Sequence, residues 1–137
     1  VILLDTNVIS ELMKPSPDGQ VREWLLSLGE ERLAITAITV AEIEYGLHRL
    51  PEGKRRSDLG QRFARLAGTL SVLPLDDLSG GRAGMFRALR EHLGLSAAPS
   101  DMMIAGIAAS VSAGLATRNI RDFERLPIVL IDPWKAP

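Results

Sequence analysis

Short apolar runs alternating with longer helix-like patterns constrain this chain more than any other feature. The first run, Val1 to Leu4, stops at Asp5, and Val8, Ile9, Leu12 and Met13 then fall at helical spacing. A run of that length, ended by a carboxylate and followed by a helical pattern, reads as a buried strand feeding a helix. Asp5 then stands at the carboxyl end of the first strand, the edge where open α/β sheets bind ligands.

The alternation continues to the end. Ser16-Pro17 predicts the N-cap and first residue of a helix carrying Val21, Trp24, Leu25 and Leu28. Leu33 to Thr36 predicts the second strand, and Thr39 opens a helix with Val40, Ile43, Leu47 and Leu50 on one stripe. After the polar loop Glu52 to Arg56, a long helix carries Leu59, Phe63, Leu66 and Leu70. Ser71 to Leu75 predicts a third strand, shortened or placed at an edge by Pro74. A further helix carries Met85, Leu89 and Leu93. An Ala-rich helix starting at Ser100-Asp101 is closed by Gly114, and its small residues let it lie close against the sheet. Strands at Leu115 to Thr117 and Ile128 to Ile131 flank a helical turn at Asp122 to Leu126. This order predicts an α/β fold, a parallel sheet of about five strands with helices on both faces. The length of 137 residues predicts a single domain, residues 1–137.

Composition narrows the chemistry. The chain has no cysteine, and its two histidines, His48 and His92, are far apart. Disulfides and thiolate metal sites are excluded, and a zinc site is disfavoured. A divalent cation here would need oxygen ligands, which favours Mg²⁺ or Mn²⁺. The net charge of −1 argues against a generally basic nucleic-acid binder. Yet Arg49, Lys54, Arg55, Arg56, Arg62 and Arg65 face only Glu52 and Asp58 between His48 and Arg65. That segment is either a solvated face or a grip for RNA phosphates. No apolar window approaches the roughly 18 residues of a membrane helix and no signal peptide is evident, so a cytoplasmic location is expected.

Asp5, Glu42, Asp101 and Asp122 follow or adjoin predicted strand ends. Each has an ordinary explanation. Thr39-x-x-Glu42 is a capping box, and Asp101 and Asp122 fall in first helical turns, where the macrodipole favours an anion. Asp5 is harder to explain so, because Thr6-Asn7 could cap the helix without it. Together the four make a stronger case. In a parallel sheet, strand carboxyl ends and the following helix amino ends share one edge, so the four acids converge. Carboxylates brought within about 4–6 Å raise one another's pKa, which favours a cation among them. Mg²⁺ uses one or two carboxylates, waters and substrate phosphate oxygens, and it can activate water for in-line displacement. Thr6 and Thr117 are candidate supporting donors or ordinary strand-end turn residues, and Asn119 either ligates, orients a water or caps a short helix. Asp76 and Asp77 are better explained as helix caps.

Four stretches now form a pattern: Leu3-Leu4-Asp5-Thr6-Asn7, Thr39-Val40-Ala41-Glu42, Asp101-Met102-Met103-Ile104-Ala105, and Leu115 to Phe123. They resemble, in order and spacing, the motifs of PIN-domain ribonucleases, and more narrowly VapC toxins of the FitB-like group. The likeness runs from residue 1 to Pro133-Trp134. It implies RNA phosphodiester cleavage in an acidic pocket holding Mg²⁺ or Mn²⁺. The family's metal-site acids carry over onto Asp5, Glu42 and Asp101. Both Asn119 and Asp122 lie in the fourth motif, and Asp122 is the favoured member. Leu95 to Pro99 departs from the shorter Gly-Arg-containing lead-in of relatives, which bears on substrate fit. The resemblance further implies a homodimer and a cognate antitoxin, with operator DNA reached through the antitoxin and no membrane partner. Tyr45, Leu47 and Phe63 are candidates for partner contact or for plain core packing. Two other functions compete. One is a regulatory DNA-binding complex in which this chain mainly dimerises. The other is a different Mg²⁺ phosphohydrolase. An aspartyl-phosphate enzyme would be expected to carry a second acid two residues after Asp5, where this chain has Asn7.

Overall fold

Five strands pair in parallel in the order β3-β2-β1-β4-β5. The computed structural model describes residues 1–135. In chain order these form β1 (Ile2–Leu4), α1 (Thr6–Leu12), α2 (Gly19–Ser27), β2 (Leu33–Thr36), α3 (Ala37–Arg49), α4 (Lys54–Ala67), β3 (Ser71–Leu73), α5 (Asp77–His92), α6 (Pro99–Ser110), β4 (Gly114–Ala116) and β5 (Leu130–Ile131). A 3₁₀ turn at Ile120–Asp122 precedes β5. The chain steps outward from β1 to β3, then crosses back to β4. Parallel crossovers are right-handed, so the outward run places α1 to α4 on one face and the return places α5 and α6 on the other. Two apolar clusters follow. Leu4, Ile35 and Ala116 pack with Val8, Ile43 and Phe63, while Leu3, Ala34 and Leu115 pack with Phe86, Met102 and Ile104. Neighbouring strand residues thus alternate between two covered faces, which is why the strands read as unbroken apolar runs. The reversal of direction makes the β1/β4 crevice the topological switch point.

Several predicted boundaries shift, each because a different cap forms. Asp18, not Ser16, caps α2: its Oδ1 accepts from the Gln20 and Val21 amides at 2.8 and 3.3 Å. Thr36 caps α3, its hydroxyl accepting from the Thr39 amide at 3.1 Å. The helix therefore begins two residues before Thr39, and the predicted Thr39–Glu42 capping box does not exist. Asp5 is itself the N-cap of α1, so it has an ordinary capping role too, although Thr6-Asn7 could have capped the helix without it. Asp76 caps α5 in a reciprocal box with Ser79, as expected. Pro99 opens α6, and Gly114 belongs to β4 rather than closing that helix. The turn expected from Asp122 onward ends at Asp122 instead.

The predicted stripe on α5 forms a helix but not a core face. Met85 is 66% exposed and Leu89 and Leu93 are also exposed, whereas Ser79, Ala83, Phe86 and Arg90 turn inward. α6 does lie against the sheet cluster, and its closest approach is to α5. A Cβ added at Gly106 would stand 2.4 Å from the Ser79 carbonyl oxygen and 2.9 Å from the Ala83 nitrogen. Of the candidate partner contacts, Leu47 and Phe63 are core residues and Tyr45 is exposed. No described helix is long and apolar enough to cross a membrane.

Candidate active site

The site is built where β1 and β4 end side by side. Asp5 follows β1, Thr117 follows β4, and the Asp5 amide donates to the Ala116 carbonyl at 2.9 Å, extending the pairing by one residue. Asp5 is 4% exposed. Its Oδ1 accepts from the Thr6 amide at 2.8 Å, and its Oδ2 from the Thr117 hydroxyl at 2.7 Å and Asn7 Nδ2 at 3.3 Å. Both oxygens are therefore fixed in direction. Burial pushes the Asp5 carboxyl above its ordinary value and the nearby Glu42 charge adds to this, while the donors from Thr117, Thr6 and Asn7 pull the other way.

Glu42 reaches the same edge from the second turn of α3. The Thr6 hydroxyl donates to its Oε1 at 2.6 Å. Thr6 Oγ1 also lies 3.1 Å from the Thr39 hydroxyl, which lies 3.5 Å from that of Thr36. With the Thr6 proton on Glu42, the three hydroxyls run one way, from Thr36 through Thr39 and Thr6 to the carboxylate. The cap of α3 and the orientation of Glu42 are thus one network.

Asp101 is the third residue of α6 and is half-buried. A carboxylate placed there only for the helix dipole would be held ionised. The reverse holds: burial, then the charges of Asp5, Asp122 and Glu42, push its carboxyl up to about 6 against the ordinary 3.8, over a smaller opposing pull from Arg90. Four acids from four chain segments therefore share one electrostatic field. Asp122 ends the 3₁₀ turn, a segment too short to carry a useful dipole. Asn119 precedes that turn without a side-chain cap bond, and its amide donates to the Thr117 hydroxyl at 3.0 Å.

Side-chain placement is looser than a closed metal cage. Among the described residues, no three Asp, Glu, His or Cys side chains stand close enough together to hold one ion. The donor chemistry nonetheless fits a hard divalent cation, since every candidate ligand is an oxygen. Mg²⁺ requires only one or two carboxylates and completes its shell with water.

Sequence reading missed two contributors. Asn7 joins the two strand ends: Nδ2 donates to Asp5 and, at 3.2 Å, to Thr117, while Oδ1 accepts from the Arg118 amide at 3.0 Å. Its place two residues after the strand-end acid was the available signal. Arg90 is fully buried beneath the Asp122 segment, and a helical arginine gives no such signal.

The charge of Asp101 has a consequence for stability. Between pH 3.8 and about 6 the folded chain retains a proton that the unfolded chain has released, so stability falls as pH rises through this window. Asp101→Asn removes that loss. In EDTA, denaturant titration should show the variant equal to the parent near pH 4 and more stable at pH 8, by on the order of 1 kcal/mol after discounting for solvent screening. An advantage as large at pH 4 as at pH 8 would contradict the placement.

A cleft of about 320 Å³ begins at Thr6 and Glu42, has Met13, Ile43 and Leu47 along its walls, and reaches Lys14 and Arg55. A second cleft of about 510 Å³ shares Lys14, Arg55 and Leu59 with it and adds Lys54, Asp58 and Arg62. On the other side, Arg118 stacks over Trp134 at 4.9 Å from the ring centroid.

The PIN domain family profile matches residues 2–129. The VapC ribonuclease Y4jK of Sinorhizobium fredii is 39% identical over 98% of this chain and 99% of its own length. The toxin FitB of Neisseria gonorrhoeae is 35% identical over 98% of this chain and 99% of its own. A solved structure of FitAB bound to an IR36 DNA fragment superposes with a TM-score of 0.88 at 34% identity, covering 100% of this chain and 98% of that one. This chain belongs to the PIN-domain family.

Proposed function

We propose that this chain is a divalent-metal-dependent endoribonuclease, the toxin of a toxin–antitoxin pair, acting in the cytoplasm as one domain over residues 1–137. The carrying observation is the meeting of acids from separate chain segments at one sheet edge, where Thr6 bonds both Asp5 and Glu42 and where the charges of Asp5, Asp122 and Glu42 add to burial in raising the Asp101 carboxyl. The ribonuclease and toxin names of its relatives supply the substrate class. Asp5, Glu42, Asp101 and Asp122 are the residues that would hold Mg²⁺ or Mn²⁺. Bound there, the ion supplies Lewis-acid polarisation of the phosphate and a more acidic water.

The chain's own groups do the positioning. Three donors fix Asp5, and Thr6 fixes Glu42. One carboxylate of the cluster, left free of the ion, would accept a proton on its oxygen from the attacking water. Arg118, pre-ordered by its stack on Trp134, suits a phosphate beside the scissile one. Lys54 and Arg55 at the far end of the cleft suit phosphates further along the strand. Water adds across the P–O3′ bond, leaving 5′-phosphate and 3′-hydroxyl ends.

Incubation of structured RNA with the protein and Mn²⁺ should yield defined fragments. Cleavage should stop in EDTA and return on adding Mn²⁺. Equal cleavage in EDTA would contradict the reading.

We further propose a homodimer through the exposed Met85, Leu89 and Leu93 stripe, and an antitoxin seated along the apolar cleft. A regulatory role can coexist with the nuclease, because the FitAB complex is bound to DNA. With a net charge of −1, this chain would reach an operator through its antitoxin. A gel shift by the pair but not by this chain alone is expected, and a shift by the chain alone would contradict that division.

A further inference from the structure

Arg90 is 1% exposed, the largest of the fully buried side chains. Among the described residues it makes no ion pair. Its donors go instead to three backbone carbonyls. Nε donates to Ser96 at 2.7 Å, Nη2 to Arg121 at 3.1 Å, and Nη1 to Glu124. These acceptors lie in two separate segments. Ser96 is in the loop that leads into α6 and to Asp101. Arg121 and Glu124 bracket Asp122. One planar fork thus spans the lead-in to one site acid and the segment that carries another.

The choice of arginine follows from geometry. Its guanidinium presents five donors in a rigid plane, enough to reach carbonyls on different sides at once. Lysine offers a single flexible point charge and cannot hold the same three acceptors in register. A buried cation without a carboxylate partner is costly unless dipoles and nearby charge compensate it. Here three carbonyl dipoles do so locally, and the acid cluster lies beyond them.

We propose that Arg90 is a positioning residue of the acid site, one buried guanidinium that sets the spacing between the Asp101-bearing and Asp122-bearing segments. Its catalytic consequence rests on the nuclease reading above, but the coupling of the two segments does not. Arg90 does not touch the substrate. It acts by holding where two acids stand.

The test uses Arg90→Lys and Arg90→Gln in the full chain, so that failure of one to fold leaves the other. Amide hydrogen exchange in residues 95–98 and 120–125 should rise together by at least about tenfold, while β1 and β4 amides stay protected. RNA cleavage well below the melting temperature should show kcat lowered by at least about tenfold with KM within about twofold, and lysine should give no rescue. A lower melting temperature with unchanged kcat would make Arg90 merely structural and overturn its role in positioning. Faster exchange in only one segment would overturn the coupling, and full rescue by lysine would show that charge rather than the fork matters and overturn it too. If the parent chain cleaves no RNA at all, the nuclease reading falls, and the exchange measurement still decides whether Arg90 joins the two segments.

Discussion

The Asp5→Asn protein should fold and lose RNA cleavage by at least about 100-fold. Asparagine caps helices about as well as aspartate, so the start of α1 survives. The residues are nearly isosteric, and the Thr6 amide keeps an oxygen to donate to. What disappears is a buried negative charge at the centre of the site. A divalent cation at the proposed site would lose an anionic ligand, and Asp101 would lose one of the three charges that raise its carboxyl. The readout is RNA cleavage at saturating Mn²⁺ alongside a thermal melt. Cleavage equal to the parent's would remove Asp5 from the chemistry, and a collapsed melt would show that its role is mainly structural.

Gly106→Val should destabilise the fold by about 3 kcal/mol, the upper end of ordinary overpacking. The contact explains the size. A Cβ here meets the Ser79 carbonyl oxygen and the Ala83 nitrogen, which are backbone atoms of α5 rather than the ends of flexible side chains. Relief requires the two helices to part. α6 carries Asp101 in its first turn, so parting them also disturbs the site. Gly81, in the same α5, meets nothing within 4 Å, and Gly81→Ala should stabilise by roughly 0.5–1 kcal/mol through helix propensity alone. Denaturant titration of both variants checks the contrast, and a neutral Gly106→Val would contradict the close approach.

The central strands β1, β2 and β4 were legible because they are buried on both faces. β2 appears where its apolar run predicts it, and β3 lies at the sheet edge and stops at Leu73, short of Pro74. Helix starts were less legible, because a cap is a choice among neighbouring polar groups that sequence lists without ranking. At α3 both Thr36 and Thr39 could cap, and only the backbone shows that Thr36 does. That resolution also frees Glu42 from its ordinary explanation. The α5 stripe was misleading for another reason. Periodicity reveals that a helix has an apolar side, but Met85 and Leu89 face outward while Ala83, Phe86 and Arg90 fill the interior. Asp5 follows a strand end as expected, whereas Glu42 stands in the second turn of α3 and Asp101 opens α6 directly after α5, with no strand before it. The donors that aim the acids were less legible, since Asn7 and the hydroxyls of Thr36 and Thr39 act across distances in sequence that spacing alone does not reveal.

Anomalous diffraction from crystals grown with Mn²⁺ tests the convergence of the acids most directly. One Mn²⁺ peak should lie about 2.0–2.4 Å from an Asp5 carboxylate oxygen, with Glu42, Asp101 or Asp122 bound to it directly or through one water. The contrary result is a peak elsewhere, or none beside Asp5, at a Mn²⁺ concentration that supports full RNA cleavage.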